Sequence, residues 1–257
     1  MDQIQPKTLN HFRSIAGQVK LIATDMDGTL TRQGHFSGDL LRGLERLQQA
    51  GWPVVIVTGR SAGWVQAIAH YLPVAGAMAE NGGVYFPGAR AAAVPLVSLP
   101  SITAHRHQLG DLFAQLQTQW PRLQESSDNR FRLTDWTFDI DGLSPADLDG
   151  LADVCQTQGW GFTYSTVQCH CFKPGQAKAT GLQQMLQRYF PHLSTQDIVT
   201  VGDSPNDASL FDPALFPYSV GVANVQDYWE QLPHHPTYVT EAPEVDGFLE
   251  LANRLLA

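Results

Sequence analysis

"LIATDMDGTL", residues 21–30, runs from mostly apolar residues straight into two carboxylates and then bends through Gly28 and Thr29. Leu21, Ile22 and Ala23 suit a buried strand. Asp25 and Asp27 stand where that strand must end, and two unpaired carboxylates one residue apart repel each other. A positive charge is therefore expected between them.

On either side of this stretch, strands alternate with helices. Ser37 is placed to cap a helix whose Leu40, Leu41, Leu44 and Leu47 recur at helical spacing, with Gly51 as its stop. "PVVIVTGR" (53–60) follows as a buried strand, "SAGWVQAIAHYL" (61–72) as a helix capped by Ser61, and "VAGAMAENGGVYF" (74–86) as a strand turning at Asn81-Gly82-Gly83. From Lys178 the same order resumes: helix "KATGLQQMLQRYF", strand "DIVTVGD", helix "PNDASLFD", strand "YSVGVA" and a closing helix "EVDGFLELANRLL". A β, helix, β order implies a parallel sheet.

Between these halves the pattern changes. After Phe86 comes the Pro-, Ala- and Gly-rich "PGARAAAVPLVSLPS", then a broadly helical run from Ile102 to Trp120. "RFRLTDWTFDI" (130–140) alternates as a two-sided strand should, which places Arg130 and Arg132 on one face. Ser144-Pro145-Ala146-Asp147 opens a helix reaching about Gln158, and "GWGFTYSTVQCHCF" (159–172) supplies one or two further strands. The expected architecture is an α/β core of residues 1–84 and 175–257, Rossmann-like with a parallel sheet, interrupted by a smaller α+β unit over 85–174.

Composition sets the surroundings. The chain has 257 residues, 43% of them hydrophobic, and a formal net charge of −9. That charge argues against general nucleic-acid binding, which depends on Lys and Arg neutralising phosphates. The opening "MDQIQPKTLNHFRSIAG" has no long apolar core behind a basic start, and no apolar run reaches bilayer length, so a cytoplasmic protein without a membrane partner is expected. Cys155, Cys169 and Cys171 are odd in number and read as reduced thiols. A strand through Cys169-His170-Cys171 points His170 away from both thiols, and no fourth zinc ligand is in view. No long apolar stripe stands clear of the core; a monomer or homodimer is expected.

Open parallel sheets keep their sites at strand ends. Asp25 and Asp27 end the first strand, Thr58 ends "VVIVT" and Asp203 ends "DIVTVGD", so three distant segments bring oxygen groups to one edge. Such a donor set suits Mg²⁺, which binds one or two carboxylates together with substrate phosphate. Asp25, Asp27 and Asp203 are the expected metal residues.

With these residues in place, the chain resembles the haloacid dehalogenase superfamily of phosphohydrolases. Four motifs stand in order: Asp25-Met26-Asp27-Gly28-Thr29; Thr58-Gly59-Arg60; Lys178; and Gly202-Asp203-Ser204-Pro205-Asn206-Asp207. Asn81-Gly82-Gly83 and the long insertion further resemble the Cof-like branch, which includes sucrose-phosphate phosphatases and places an α/β cap over the site. The resemblance implies a Mg²⁺-dependent phosphatase acting on a small phosphorylated metabolite, a sugar phosphate by expectation. Asp25 would be the nucleophile and Asp27 the acid and base, while Thr58, Gly59, Lys178 and Asn206 would hold the phosphoryl group. Lys178, at the start of the returning helix, is preferred to Lys173 as the third motif. A related phosphomutase and a non-enzymatic sensor are the competing functions. In the inserted unit, Arg130, Arg132, Trp136 and His170 are candidate substrate contacts.

Overall fold

The computed structural model describes residues 7–9, 12, 16–88, 92–165 and 167–257. Most of the opening stretch read for a leader, and part of the Ala-rich stretch after Phe86, lie outside the described residues. Among the described residues no helix is long and apolar enough to cross a membrane.

A nine-stranded sheet dominates. In chain order its strands are β1 (Lys7–Thr8), β2 (Leu21–Thr24), β3 (Val54–Val57), β4 (Gly76–Ala79), β5 (Val84–Phe86), β6 (Val94–Pro95), and later β10 (Ile198–Gly202), β11 (Tyr218–Gly221) and β12 (Tyr238–Val239). Across the sheet they lie in the order β1-β12-β11-β10-β2-β3-β4-β5-β6. Pairing is parallel from β1 through β4 and antiparallel for β4/β5 and β5/β6.

Successive strand residues face opposite layers. Ile22, Val54 and Ile56 pack with α1 (Gly38–Gln49), α2 (Ala62–Tyr71) and α6 (Glu244–Leu255); Leu21, Ala23, Val55 and Val57 pack with α5 (Lys178–Tyr189). Burial on both faces explains why these strands read as continuous apolar runs. α1 starts as expected, Ser37 Oγ accepting from the Leu40 amide at 3.1 Å, and buries Leu40, Leu44 and Leu47.

The remaining strands, β7 (Asp135–Asp139), β8 (Gly161–Tyr164) and β9 (Gln168–Phe172), form a separate antiparallel sheet in the order β7-β9-β8. Helices α3 (Ile102–Gln119) and α4 (Pro145–Thr157) cover one face of it. Phe138, Cys169 and Cys171 pack there with Leu109, Leu112 and Leu116 of α3 and Leu151 and Cys155 of α4. All three cysteines are buried free thiols. The opposite face carries Asp135, Thr137, Thr163, Gln168 and His170, as pairings Thr137↔His170 and Thr163↔His170 require.

The structure departs from the sequence reading in several places. The large sheet continues through β5 and β6, past residue 85, because Val84, Tyr85 and Phe86 fold back beside β4 with their side chains in the core. "RFRLTDWTFDI" is not one strand: residues 129–131 form a 3₁₀ turn and β7 begins at Asp135. Asp128 and Asp135 both hold the Arg132 guanidinium, which draws the chain into that turn. "PNDASLFD" is 3₁₀ over Pro205–Leu210. Ser61 stands at the N-cap of α2 without a side-chain cap bond; the distant Glu80 carboxylate accepts from the Ala62 amide at 2.9 Å instead.

Candidate active site

Strand order reverses at β2, with β3 on one flank and β10 on the other, all three parallel. The crevice at such a switch point is where open sheets bind ligands. Asp25 leaves β2 here and Asp203 leaves β10, each 3% exposed. Gly28 adopts φ +77, and a Cβ at that position would strike the Asp203 carboxylate. The turn therefore needs glycine for both its conformation and its space.

Lys178 opens α5 and is 1% exposed. Its Nζ donates to Asp25 Oδ1 and to Asp207 Oδ1, both at 2.6 Å. Lys173 instead reaches the Ser98 carbonyl at the surface. Asp207 Oδ2 accepts from the amides of Asp203 and Ser204, at 3.0 and 3.2 Å, which fixes the loop after β10. Asp203 accepts from Thr29 Oγ1 at 3.2 Å and Asn224 Nδ2 at 2.9 Å.

Carboxylate oxygens of Asp25, Asp203 and Asp207 lie within 4.8 Å of one another. Three buried carboxylates face a single ammonium. Burial, then the Asp207 charge, raises Asp25 from its ordinary 3.8 to about 7, against the pull of Lys178. Burial and the same neighbours push Asp203 well above the carboxylate range. Burial also works against the charge on Lys178, but Asp207 and Asp25 outweigh it and hold the ammonium above its ordinary value. A hard divalent cation fits this surplus of anionic oxygen.

Asp27 does not join the cluster. Its two oxygens take a paired bond from Arg60, Nε at 2.9 Å and Nη2 at 2.6 Å. Of the three residues expected at a metal, the carboxylates of Asp25 and Asp203 come together and that of Asp27 turns away; Asp207 stands in its place. Lys178 pairs with Asp25 and Arg60 with Asp27.

Thr58, Gly59 and Asn206 line one cavity of about 20 Å³ with Asp25, Asp27, Arg60 and Ser204. From the small sheet and its β8–β9 loop, Ser165, Val167, Gln168 and His170 close it. Asn206 is oriented by Ser204 Oγ at 2.8 Å and by Asn81 Oδ1 at 3.4 Å. Among the four expected contacts from the inserted unit, only His170 reaches the cavity. Arg132 is 3% exposed and is consumed by Asp128, Asp135, Gln168 and the Gly59 carbonyl. Trp136 lies on the helix-covered face, its ring 4.4 Å from the Arg106 guanidinium and 5.8 Å from Phe113. Arg130 is exposed, over the Phe131 ring.

Residues that sequence reasoning gave no role include Arg60, Glu80 and Asn224. Arg60 was legible as the one cation beside Thr58-Gly59. Glu80 and Asn224 carry no local signal, because their partners are remote: Glu80 accepts from the amides of Leu133 and Thr134 and from Thr134 Oγ1, and Asn224 Nδ2 also donates to the Gly28 carbonyl at 3.1 Å.

Residues 22–91 and 151–251 match the family model of haloacid dehalogenase-like hydrolases. The chain belongs to that family. It is 26% identical over 243 residues to a phosphoglycolate phosphatase of Methanothrix thermoacetophila, covering 93% of this chain and 98% of the relative. A second phosphoglycolate phosphatase, from Metallosphaera sedula, is 30% identical over 202 residues, 76% of this chain and 82% of the relative. Among solved structures, a Thermoplasma acidophilum protein superposes with a TM-score of 0.75 at 22% identity, covering 93% of this chain and 99% of its own. The sucrose-phosphatase of Synechocystis, solved with sucrose and phosphate, gives a TM-score of 0.66 at 16% identity over 93% and 98%. The fold is that of Cof-like members of the family, and the enzyme class is phosphoric monoester hydrolase.

Proposed function

We propose that this hydrolase is a Mg²⁺-dependent phosphatase of a small phosphorylated metabolite, working through an aspartyl-phosphate on Asp25, with residues 96–174 as a cap over the site. The carrying observation is the Asp25 carboxylate at the switch point, 2.6 Å from the buried Lys178 ammonium and beside Asp203 and Asp207. Asp25, Asp203 and Asp207 would hold the cation, which when bound neutralises these carboxylates and the phosphate oxygens.

The chain's own groups then have separable tasks. Lys178 Nζ, the Thr58 hydroxyl, the Gly59 amide and Asn206 Nδ2 hold the phosphoryl oxygens, because phosphoryl transfer is driven mainly by position and charge stabilisation. Asp25 attacks phosphorus and the ester oxygen leaves. Asp27 gives that oxygen a proton, then takes one from the water that cleaves the aspartyl-phosphate. The cavity has room for about one water, so the cap must lift to admit an ester.

A sugar phosphate is the class expected from the residues, and phosphoglycolate is the substrate in the relatives' names. A panel of phosphate esters assayed with Mg²⁺ for phosphate release tests the reading, with Asp25→Asn as control. Asp25→Asn is expected to remove turnover while leaving the fold intact. Retention of a tenth or more of wild-type kcat would overturn the covalent mechanism.

A further inference from the structure

His170 occupies the middle of β9, between Thr137 and Thr163 on the polar face of the cap sheet. Its Nδ1 lies 2.9 Å from Asp135 Oδ2, and both side chains are sealed from solvent. Arg132 Nη1 holds both Asp135 oxygens, at 3.1 and 2.9 Å, and donates as well to the Gly59 carbonyl at 2.9 Å. The imidazole itself rests on Gly59: a Cβ there would stand 3.2 Å from His170 Cε1. One chain of contacts thus hangs the ring over the peptide that faces the phosphoryl group, in the cavity lined by Asp25 and Asp27.

Asp135 stays below the usual carboxylate range despite its burial, held there by Arg132 and His170. Burial keeps His170 below the ordinary imidazole value, with Asp135 only partly opposing it. An ionised carboxylate can only accept, so the hydrogen of the neutral ring sits on Nδ1. Nε2, beyond Cε1, keeps its lone pair and is the ring's remaining polar atom.

We propose that His170, fixed in this tautomer by Asp135, reads the leaving group: Nε2 accepts a hydrogen bond from a free hydroxyl of the departing alcohol. The inference rests on the phosphatase reading of the site and narrows it. Esters of polyols satisfy the lone pair, whereas a leaving group ending in a carboxylate meets that lone pair with the Asp135 charge behind it. The guanidiniums described beside the cavity already hold carboxylates, Arg60 that of Asp27 and Arg132 those of Asp128 and Asp135. Asp135 is a positioning residue.

The test measures kcat/KM of the full-length protein with Mg²⁺ for glycerol 3-phosphate, glucose 6-phosphate, 2-phosphoglycolate and p-nitrophenyl phosphate. Wild type is expected to prefer the better polyol ester over 2-phosphoglycolate at least tenfold. His170→Ala should lower the ratio of polyol ester to p-nitrophenyl phosphate at least tenfold. His170→Gln, which can restore an acceptor, should return that ratio to within threefold. Asp135→Asn should keep its oxygen on Arg132 and turn its amide hydrogens toward Nδ1, moving the ring hydrogen to Nε2. The polyol to phosphoglycolate ratio should then fall at least tenfold; a merely structural Asp135 would lower all substrates together. Wild-type preference for 2-phosphoglycolate, or unchanged ratios in both His170→Ala and Asp135→Asn, would overturn the role of His170 while the phosphatase reading stands. Phosphate release from none of the esters would overturn both.

Discussion

Asp25→Asn, apart from its effect on turnover, should make the protein more stable at neutral pH when divalent cations are chelated. Asp25 binds its proton more tightly in the folded chain, with a pKa about 7 against an ordinary 3.8. Between those values the unfolded chain has lost the proton and the folded one keeps it, so stability is lost as pH rises toward 7. At about 1.4 kcal/mol for each tenfold change in proton affinity, this amounts to about 4 kcal/mol. Asparagine does not ionise and escapes the loss. Glu80, His105 and His170 cancel in the difference between variant and wild type, whereas Asp203, raised in part by the Asp25 charge, adds to the variant's gain. Urea unfolding in EDTA at half-unit steps from pH 4 to pH 8 should show the variant gaining steadily and levelling off above pH 7. In thermal unfolding the gap at pH 8 corresponds to about 8–16 °C in Tm. Millimolar Mg²⁺ should then close the gap by stabilising the wild type. A difference that stays flat from pH 4 to pH 8 would refute the argument that the buried acidic cluster is short of positive charge.

Glu80→Ala should cost about 3–5 kcal/mol in urea unfolding at pH 7, because the amides of Ala62, Leu133 and Thr134 lose their acceptor together. Asp203→Ala should weaken Mg²⁺ binding by at least tenfold in calorimetric titration; metal affinity equal to wild type would remove Asp203 from the cation site. Gly59→Ala places a Cβ 3.1 Å from Asn81 Oδ1 and 3.2 Å from His170 Cε1. It should lower kcat/KM by about tenfold through a raised ceiling while shifting Tm by less than about 3 °C, read from steady-state rates and thermal scans.

What the sequence made legible follows from how local each signal is. Asp25, Thr58 and Asp203 could be placed because a buried parallel strand announces itself as an apolar run and its last residue faces the crevice. Lys178 could be preferred to Lys173 because only Lys178 begins a helix. The direction of the Asp27 carboxylate was not legible, because backbone position does not say where a carboxylate turns and its partner Arg60 lies 33 residues away. Arg132 was misread for the same reason: a cation among polar neighbours looks ligand-facing until Asp128, Asp135, Gln168 and the Gly59 carbonyl are seen to use its donors. The antiparallel return of β5 and β6 escaped notice because Val84-Tyr85-Phe86 reads equally well as the end of a strand or as a new one. The two faces of β9, by contrast, were readable from "QCHCF" alone, since a period of two separates His170 from both thiols.

That alternation bears on how such an enzyme changes over generations. On β9, residues that pack beneath the helices, Cys169 and Cys171, are interleaved one by one with Gln168 and His170, which line the cavity with Asp25 and Asp27. A mutation at either polar position leaves the apolar layer beneath the helices untouched, and a mutation at either thiol leaves the ceiling chemistry as it was. Cavity lining and apolar packing thus alternate along the same five residues. On the proposed reading, a change at His170 varies the leaving-group contact at the cost of its bond to Asp135, and a change at Gln168 also gives up its bonds to Arg132 and Asp128, the bonds that set the height of the ceiling.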